Sequence, residues 1–261
     1  FPFPELGTDE RENLSLMLNS VRTFAHRSID SARIDREAVI PPEVIQGLKD
    51  LGLFGMIIPR EYGGLGLSTT AFARMIQELS ALDASVAVTV GAHQSIGVKG
   101  LLLFGTDAQK KKYLPKLATG EMIASFALTE PGAGSDAAAI QTRAEPSADG
   151  KRYTLTGTKN WITNGGFAEL FTVFARTTAI GTQNKPRLTA LLVERAHGVR
   201  SGPNEPKLGI RGASTTALYF DDAQVPAENV LGETGRGFKV AMEVLNTGRM
   251  SLAAGCIGLA R

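Results

Sequence analysis

Hydrophobic and polar positions follow two different periods along the chain, and the change comes near Ile123. Before it, Leu14, Leu18, Val21 and Ala25 recur at three- and four-residue steps, the spacing that places side chains on one face of a helix. Pro42, suited to a first helical turn, opens a short helix that closes at Leu51 ahead of Gly52. Ile57 to Gly66 is irregular, broken by Pro59 and by glycines. Thr69 to Leu82 returns to helical spacing with Phe72, Ile76 and Leu79 on one side, and Ser85 to Phe104 is apolar almost throughout, which predicts a central helix. Thr106 fits the N-cap of a helix from Asp107, with acid early and lysines late as the helix dipole prefers. Residues 1–122 are predicted to form an all-helical N-terminal domain.

After Ile123, short runs rich in β-branched and aromatic residues sit between turn signals. An apolar run through Phe126 and Leu128 predicts a strand that breaks at Pro131; Ile140, Thr142 and Ala144 alternate with polar neighbours; Ser147–Gly150 turns the chain into Lys151–Thr156. Leu170–Ala175, Leu188–Val193 and Thr215–Phe220 predict further strands, and Thr177–Pro186 a polar, mobile loop. These runs leave no room for crossover helices, so residues 123–232 are predicted to form an antiparallel β domain, barrel-like or sandwich-like. Helical spacing returns with Phe238, Ala241, Met242 and Leu245, and residues 233–261 read as the truncated first helix of a C-terminal helical bundle. The fold class is α+β, multidomain.

Composition excludes more than it assigns. Lys and Arg number 28 against 26 Asp and Glu, and the net charge of +2 gives no footprint for nucleic acid or an anionic membrane. Lys110-Lys111-Lys112 reads as the solvated face of a helix. Cys256 is the only cysteine, which excludes an internal disulfide and predicts a small buried hydrophobe. No stretch is read as a membrane span; the start, Phe1-Pro2-Phe3-Pro4 without an initiator Met, matches neither a signal nor a transit peptide and reads as a trimmed chain.

Candidate chemistry gathers in two stretches. Leu128-Thr129-Glu130-Pro131-Gly132-Ala133-Gly134-Ser135-Asp136 passes from a strand into a small-residue loop, where glycines let the backbone approach a ligand closely. Gly132-x-Gly134-x-x-Ala137 formally meets the dinucleotide fingerprint, but that unit needs a long helix where Ile140 onward alternates as a strand. On the residues alone, a generic turn and a phosphate-binding loop weigh about equally. Trp161-Ile162-Thr163-Asn164-Gly165-Gly166 sets a flat apolar wall beside a short hydroxyl at a turn, although a lone tryptophan is more often a core residue. His93 and Gln94 stand in a small, apolar stretch; a satisfied internal histidine is the favoured reading, and no second ligand at a suitable spacing supports a metal.

These two stretches resemble the two signatures of the acyl-CoA dehydrogenases, and further similar stretches follow the family's order: Pro59-Arg60-Glu61-Tyr62-Gly63-Gly64, Tyr113-Leu114-Pro115-Lys116-Leu117, and Val225-Pro226-Ala227-Glu228-Asn229-Val230. Gly91-Ala92-His93-Gln94-Ser95-Ile96-Gly97 resembles the very-long-chain branch most. The resemblance implies FAD-dependent α,β-dehydrogenation of long-chain acyl-CoA to trans-2-enoyl-CoA in fatty-acid β-oxidation, with electrons passed to an electron-transferring flavoprotein by a dimer or tetramer. An acyl-CoA oxidase, or a non-catalytic assembly or DNA-binding relative, are the alternatives. The compartment implied is the mitochondrial matrix in a eukaryote and the cytoplasm in a bacterium. By the same resemblance, Phe126, Leu128, Thr129, Gly134, Ser135, Trp161, Ile162 and Thr163 contact the flavin, while Ser135, Asn246, Arg249, His93 and Gln94 contact the acyl-CoA. One of the family's two places for the catalytic base falls on Gly248, and Glu243 and Glu130 do not suit the role. No catalytic residue is therefore assigned to this chain; the base is expected in the C-terminal domain.

Overall fold

The protein, described here over residues 5–178 and 187–261 of a computed structural model, is a helical half packed on a twisted sheet and closed by one long helix. Helix α1 (Thr8–Ser28) buries Leu14, Leu18, Val21 and Ala25, as their spacing requires. Helix α2 (Ser31–Glu37) was not predicted: it buries Ile34 alone, so it has no period to detect, and it is nucleated by the Asp30 carboxylate accepting from Arg33 N at 2.9 Å. Helices α3 (Pro42–Asp50) and α4 (Thr69–Leu82, capped by Ser68) start at the expected residues, and α7 (Asp107–Thr119, with a Thr106–Gln109 capping box) at its expected cap.

The central apolar run is not one regular helix. It divides into α5 (Ala84–Ala92), a π-helical turn His93–Val98, and α6 (Lys99–Phe104). Contrary to the reading above, this 21-residue run is long and apolar enough to cross a membrane, but 67% of its apolar window is buried inside the protein, as befits a core helix.

The strands are β1 (Ala124–Ala127), β2 (Arg143–Pro146), β3 (Arg152–Thr163), β4 (Leu170–Thr177), β5 (Arg187–Glu194), β6 (Val199–Asn204), β7 (Thr215–Pro226) and β8 (Val230–Leu231). They form one open sheet in the order β6-β7-β3-β2-β4-β5-β8, with β1 beside β4. The sheet is mixed rather than a purely antiparallel barrel or sandwich. β1 pairs parallel with β4, from Ala124 opposite Leu170 to Ala127 opposite Val173, and β2 meets β4 in parallel at Arg143 and Arg176. The β2–β3 hairpin itself serves as the crossover, so the parallel pairing needs no helix. β3 runs further than predicted, through Trp161 to Thr163; its pairing with β7 shifts twice, at a bulge on β7 where Asp221 and Asp222 oppose Thr156, and at a bulge on β3 where Asn160 and Trp161 oppose Ala217. Strand β6 was masked by its Gly202-Pro203, which an edge strand tolerates. From residue 179 onward, the expected loop Thr177–Pro186 lies outside the described residues.

Strand β4 is buried on both faces, so it reads as a nearly continuous apolar run. Phe171, Val173 and Ala175 face the core shared with α1–α5; Leu170 and Phe174 face the core shared with α6 and α7. Helix α8 (Gly237–Leu259) adds Val240, Ala241 and Val244 to the second core and crosses α4 closely at its far end. A Cβ on Gly258 would lie 2.0 Å from the Gln77 carbonyl oxygen, so only glycine allows this approach. Cys256, expected to be buried, is exposed and lines an apolar groove beside α8.

Candidate functional site

The loop after β1 is held from beneath by a buried ion pair. Lys159 Nζ lies 2.7 Å from Glu130 Oε1 and also donates to the carbonyls of Leu128 at 3.1 Å and Phe174 at 2.6 Å. The Glu130 carboxylate accepts in addition from the amides of Gln141 at 2.6 Å and Thr142 at 3.0 Å, so one side chain closes both ends of the Pro131–Ile140 excursion. Burial pushes the Glu130 carboxyl up, but Lys159 and these amides outweigh it and hold it below its ordinary value. Burial draws the Lys159 ammonium down, to about 8, against the pull of Glu130, which leaves both groups ionised at neutral pH. Two hydrogen bonds between Glu130 and Ala133 tighten the turn, and Asn160 N donates to Thr129 O at 2.9 Å, tying the loop to β3.

Pinned in this way, the loop presents Gly132, Gly134, Ser135 and Asp136 to solvent. A Cβ added at Gly132 or Gly134 would meet nothing, and neither glycine has a positive φ. Neither internal packing nor backbone conformation therefore requires these glycines, which leaves close approach by a bound group as their physical reason.

Beside the loop, the bulge of β3 forces Trp161 to φ +59, a costly conformation for a bulky residue, and leaves the residue 58% exposed. Thr163 is half-buried, its carbonyl accepting from Ser125 Oγ at 2.5 Å. The turn that follows is fixed by Asn164, which donates to Thr89 O at 3.0 Å, and by Arg195, whose guanidinium donates to the carbonyls of Gly165 at 2.8 Å and Ala168 at 2.7 Å and to Ser201 Oγ at 3.0 Å.

Between α5, the π turn and α8 lies an apolar groove of about 420 Å³. On α5 its wall is mostly small side chains, Ala84, Ala87, Gly91 and Ala92 with Val88 among them; larger apolar side chains, including Ile76, Ile96, Leu245 and Leu252, line the rest. Among the described residues, Arg249 is the only charged side chain that lines it, and its Nη1 donates to Asn246 Oδ1 at 2.6 Å, so the two residues share one exposed face of α8.

The structure thus brings Thr129, Gly134, Ser135, Trp161 and Thr163 to one accessible region and Arg249 to the groove, with Asn246 beside it outside the lining. It turns other candidates away. Phe126, Leu128 and Ile162 bury their side chains in the core, Phe126 against Phe174 at 4.9 Å between ring centroids, so any contact they make is through backbone. His93 and Gln94 do not line the groove: both are fully buried and hydrogen-bonded to backbone on the other side of the helix, since the π turn rotates them inward. Two site-shaping residues were missed, Lys159 and Arg195. Lys159 left a signal, because it continues the inward register of Tyr153, Leu155 and Gly157 on β3.

The chain thus combines a helical half, a mixed sheet carrying an open glycine loop beside an exposed tryptophan, and an apolar groove between helices. Residues 11–121 match the family model of the acyl-CoA dehydrogenase N-terminal domain, and residues 125–223 that of the acyl-CoA dehydrogenase middle domain. The chain belongs to the acyl-CoA dehydrogenase family. It is 51% identical over 263 residues to the very long-chain specific acyl-CoA dehydrogenase, mitochondrial, of Bos taurus, with 99% of this chain aligned, and spans 40% of that protein's length. Among solved structures, butyryl-CoA dehydrogenase from Megasphaera elsdenii matches with a TM-score of 0.89 and 37% identity, over all of this chain and 67% of that one. An acyl-CoA dehydrogenase complexed with FAD from Bacillus anthracis matches with a TM-score of 0.85 and 37% identity, over all of this chain and 44% of that one.

Proposed function

We propose that this chain supplies the flavin-facing and acyl-binding parts of an FAD-dependent dehydrogenase acting on long-chain acyl-CoA, with electrons leaving to an electron-transferring flavoprotein. The observation that carries the reading is the exposed, backbone-strained Trp161 beside glycines that nothing inside the protein requires. That surface fits a flat cofactor with an anionic tail: the indole offers a wall, the Gly132–Ser135 backbone and the Ser135 hydroxyl offer hydrogen bonds, and Thr129 and Thr163 offer short polar contacts at the ring. FAD, when bound, supplies the hydride-accepting chemistry. The chain's own part is to hold, orient and exclude water. The groove takes the acyl chain, its small α5 residues leaving room for a long one, while Arg249 and Asn246 meet the polar thioester-linked portion.

The resemblance to a very-long-chain enzyme supports a long substrate, as does the groove's lack of a large side chain from Ala84 to Ala92. The test is an anaerobic titration of the flavin-loaded protein with acyl-CoAs of increasing length, followed by absorption. A shift of the flavin absorption bands that strengthens with chain length, without bleaching, is expected; a flavin spectrum indifferent to every acyl-CoA would end the reading.

A further inference from the structure

The π turn between α5 and α6 inserts two polar side chains into an otherwise apolar helix, and both point away from the groove. His93 Nδ1 accepts from the backbone N–H of Ala124 at 2.9 Å. Its proton therefore sits on Nε2, which lies 3.1 Å from Phe54 O and 3.2 Å from Leu117 O and donates to both. Full burial pulls the imidazole down to about 4, so the neutral ring keeps its acceptor throughout the neutral range. Gln94 completes the joint by accepting from Ile57 N at 2.8 Å and donating to Phe54 O.

Ala124 is the first residue of β1, a strand laddered only to β4. On its other side the π turn comes so close that a Cβ on Gly97 would lie 2.7 Å from Ala124 O. Four residues after Ala124 the chain enters the Leu128–Ser135 loop, and the other face of the same π turn carries Ser95 and Ile96 into the groove. One rigid turn thus touches the groove on one side and the root of the loop on the other.

We propose that His93 is a positioning residue: through the Ala124 N–H it sets where β1 lies, and through β1 the placement of Thr129 to Ser135 against the bound flavin. This inference rests on the flavin reading above. A role confined to filling the core predicts equal damage from any polar replacement, whereas a positioning role depends on the acceptor at the Nδ1 position. His93→Asn keeps an acceptor there and loses the Nε2 donor. His93→Gln keeps a donor near Nε2 and loses the acceptor.

The experiment compares the two variants with the wild-type chain by amide hydrogen exchange without flavin, and by FAD affinity and flavin midpoint potential with it. His93→Gln is expected to speed exchange at Ala124–Ala127 about tenfold over His93→Asn and to weaken FAD binding several-fold with a shifted potential, while His93→Asn stays near wild type in both. Equal exchange in the two variants overturns the proposal. Should a variant fail to fold, the wild-type protein still decides: a scalar coupling across the hydrogen bond from Ala124 N to His93 Nδ1 is expected, and its absence overturns the proposal. If exchange responds as expected but the wild-type protein takes up no FAD, the positioning of β1 stands and the flavin reading is what fails.

Discussion

Lys159 and Glu130 form an ion pair with 2.7 Å between Nζ and Oε1, at a depth where their side chains are 0% and 5% exposed. Such a pair is a weak source of net stability but costly to break from one side, because the remaining charge stays buried. Lys159→Met is expected to destabilise the fold by about 3–5 kcal/mol. The double variant Lys159→Met/Glu130→Gln should recover part of that loss, since a neutral amide oxygen can still accept from Gln141 or Thr142. Urea midpoints of the two variants check this; a double variant as unstable as the single one would show that charge burial is not the cause.

The pH dependence of stability has a separable part. His93 takes up a proton near pH 6.5 in the unfolded chain but only near pH 4 when folded. Its contribution is complete above about pH 6.5, falls as the pH drops toward 4, and then levels off, a share on the order of 3 kcal/mol. His197, also held low by burial, acts in the same direction. Glu130, held below its ordinary value, keeps its contribution above about pH 4.5 and loses it only in stronger acid. Urea unfolding at pH 7, 5.5 and 4.5 should show a shallower decline for His93→Gln than for wild type, and parallel declines would count against a buried neutral His93.

Trp161 pits stability against function. The left-handed conformation costs a non-glycine residue roughly 1–2 kcal/mol, while glycine's extra chain entropy returns roughly 0.5–1 kcal/mol of any gain. Because the indole is largely exposed, little burial is lost. Trp161→Gly is therefore expected to leave the melting temperature unchanged or slightly raised and to weaken FAD binding by up to about ten-fold, the scale of one aromatic contact. A variant that melts much lower while holding FAD equally well would place Trp161 in the core's service instead.

The groove offers a test of chain length. Ala92 is half-buried and lines the groove from α5, so Ala92→Phe fills it without crowding the core. Each methylene excluded from the groove forfeits about 0.8 kcal/mol, close to four-fold in affinity. Long acyl-CoAs should lose binding progressively while the shortest are unaffected; uniform loss across lengths would mean that the acyl chain lies elsewhere.

Much of this organisation was legible in the sequence, and the exceptions share a cause. Helices α1, α3, α4 and α7 announce themselves through a buried face, joined by Pro42 at the start of α3 and by the Thr106 cap of α7, which are local signals. The parallel pairing of Ala124 with Leu170 joins residues far apart in sequence, and no local pattern encodes it. The π turn leaves only the oddity of His93-Gln94 in an apolar run, which the family resemblance had drawn toward the substrate. At the site, Trp161 and the glycine loop stand out by residue type, whereas the Lys159 and Arg195 contacts depend on distant carbonyls brought near by the sheet.

The remaining expectation concerns the proton. Removing the α-hydrogen of a thioester requires a base within hydrogen-bond reach of it, and at neutral pH a carboxylate suits the task. Among the described residues, none that lines the groove is an Asp or Glu. Gly248, at one of the two places where the family resemblance allows the glutamate, has its Cα side turned to Ile96, where even a Cβ would come within 2.8 Å of Cγ2. Glu243 is partly exposed and leans toward Lys239, with 3.7 Å between Oε1 and Nζ, while Glu130 is committed to Lys159 and two amides. Each carboxylate that the sequence offers near the site is thus engaged or misplaced. These 261 residues assayed alone with FAD, long-chain acyl-CoA and an artificial electron acceptor are expected to show no turnover, even where flavin binds. Steady turnover abolished by Glu130→Gln or Glu243→Gln would identify a base on this chain and refute the assignment.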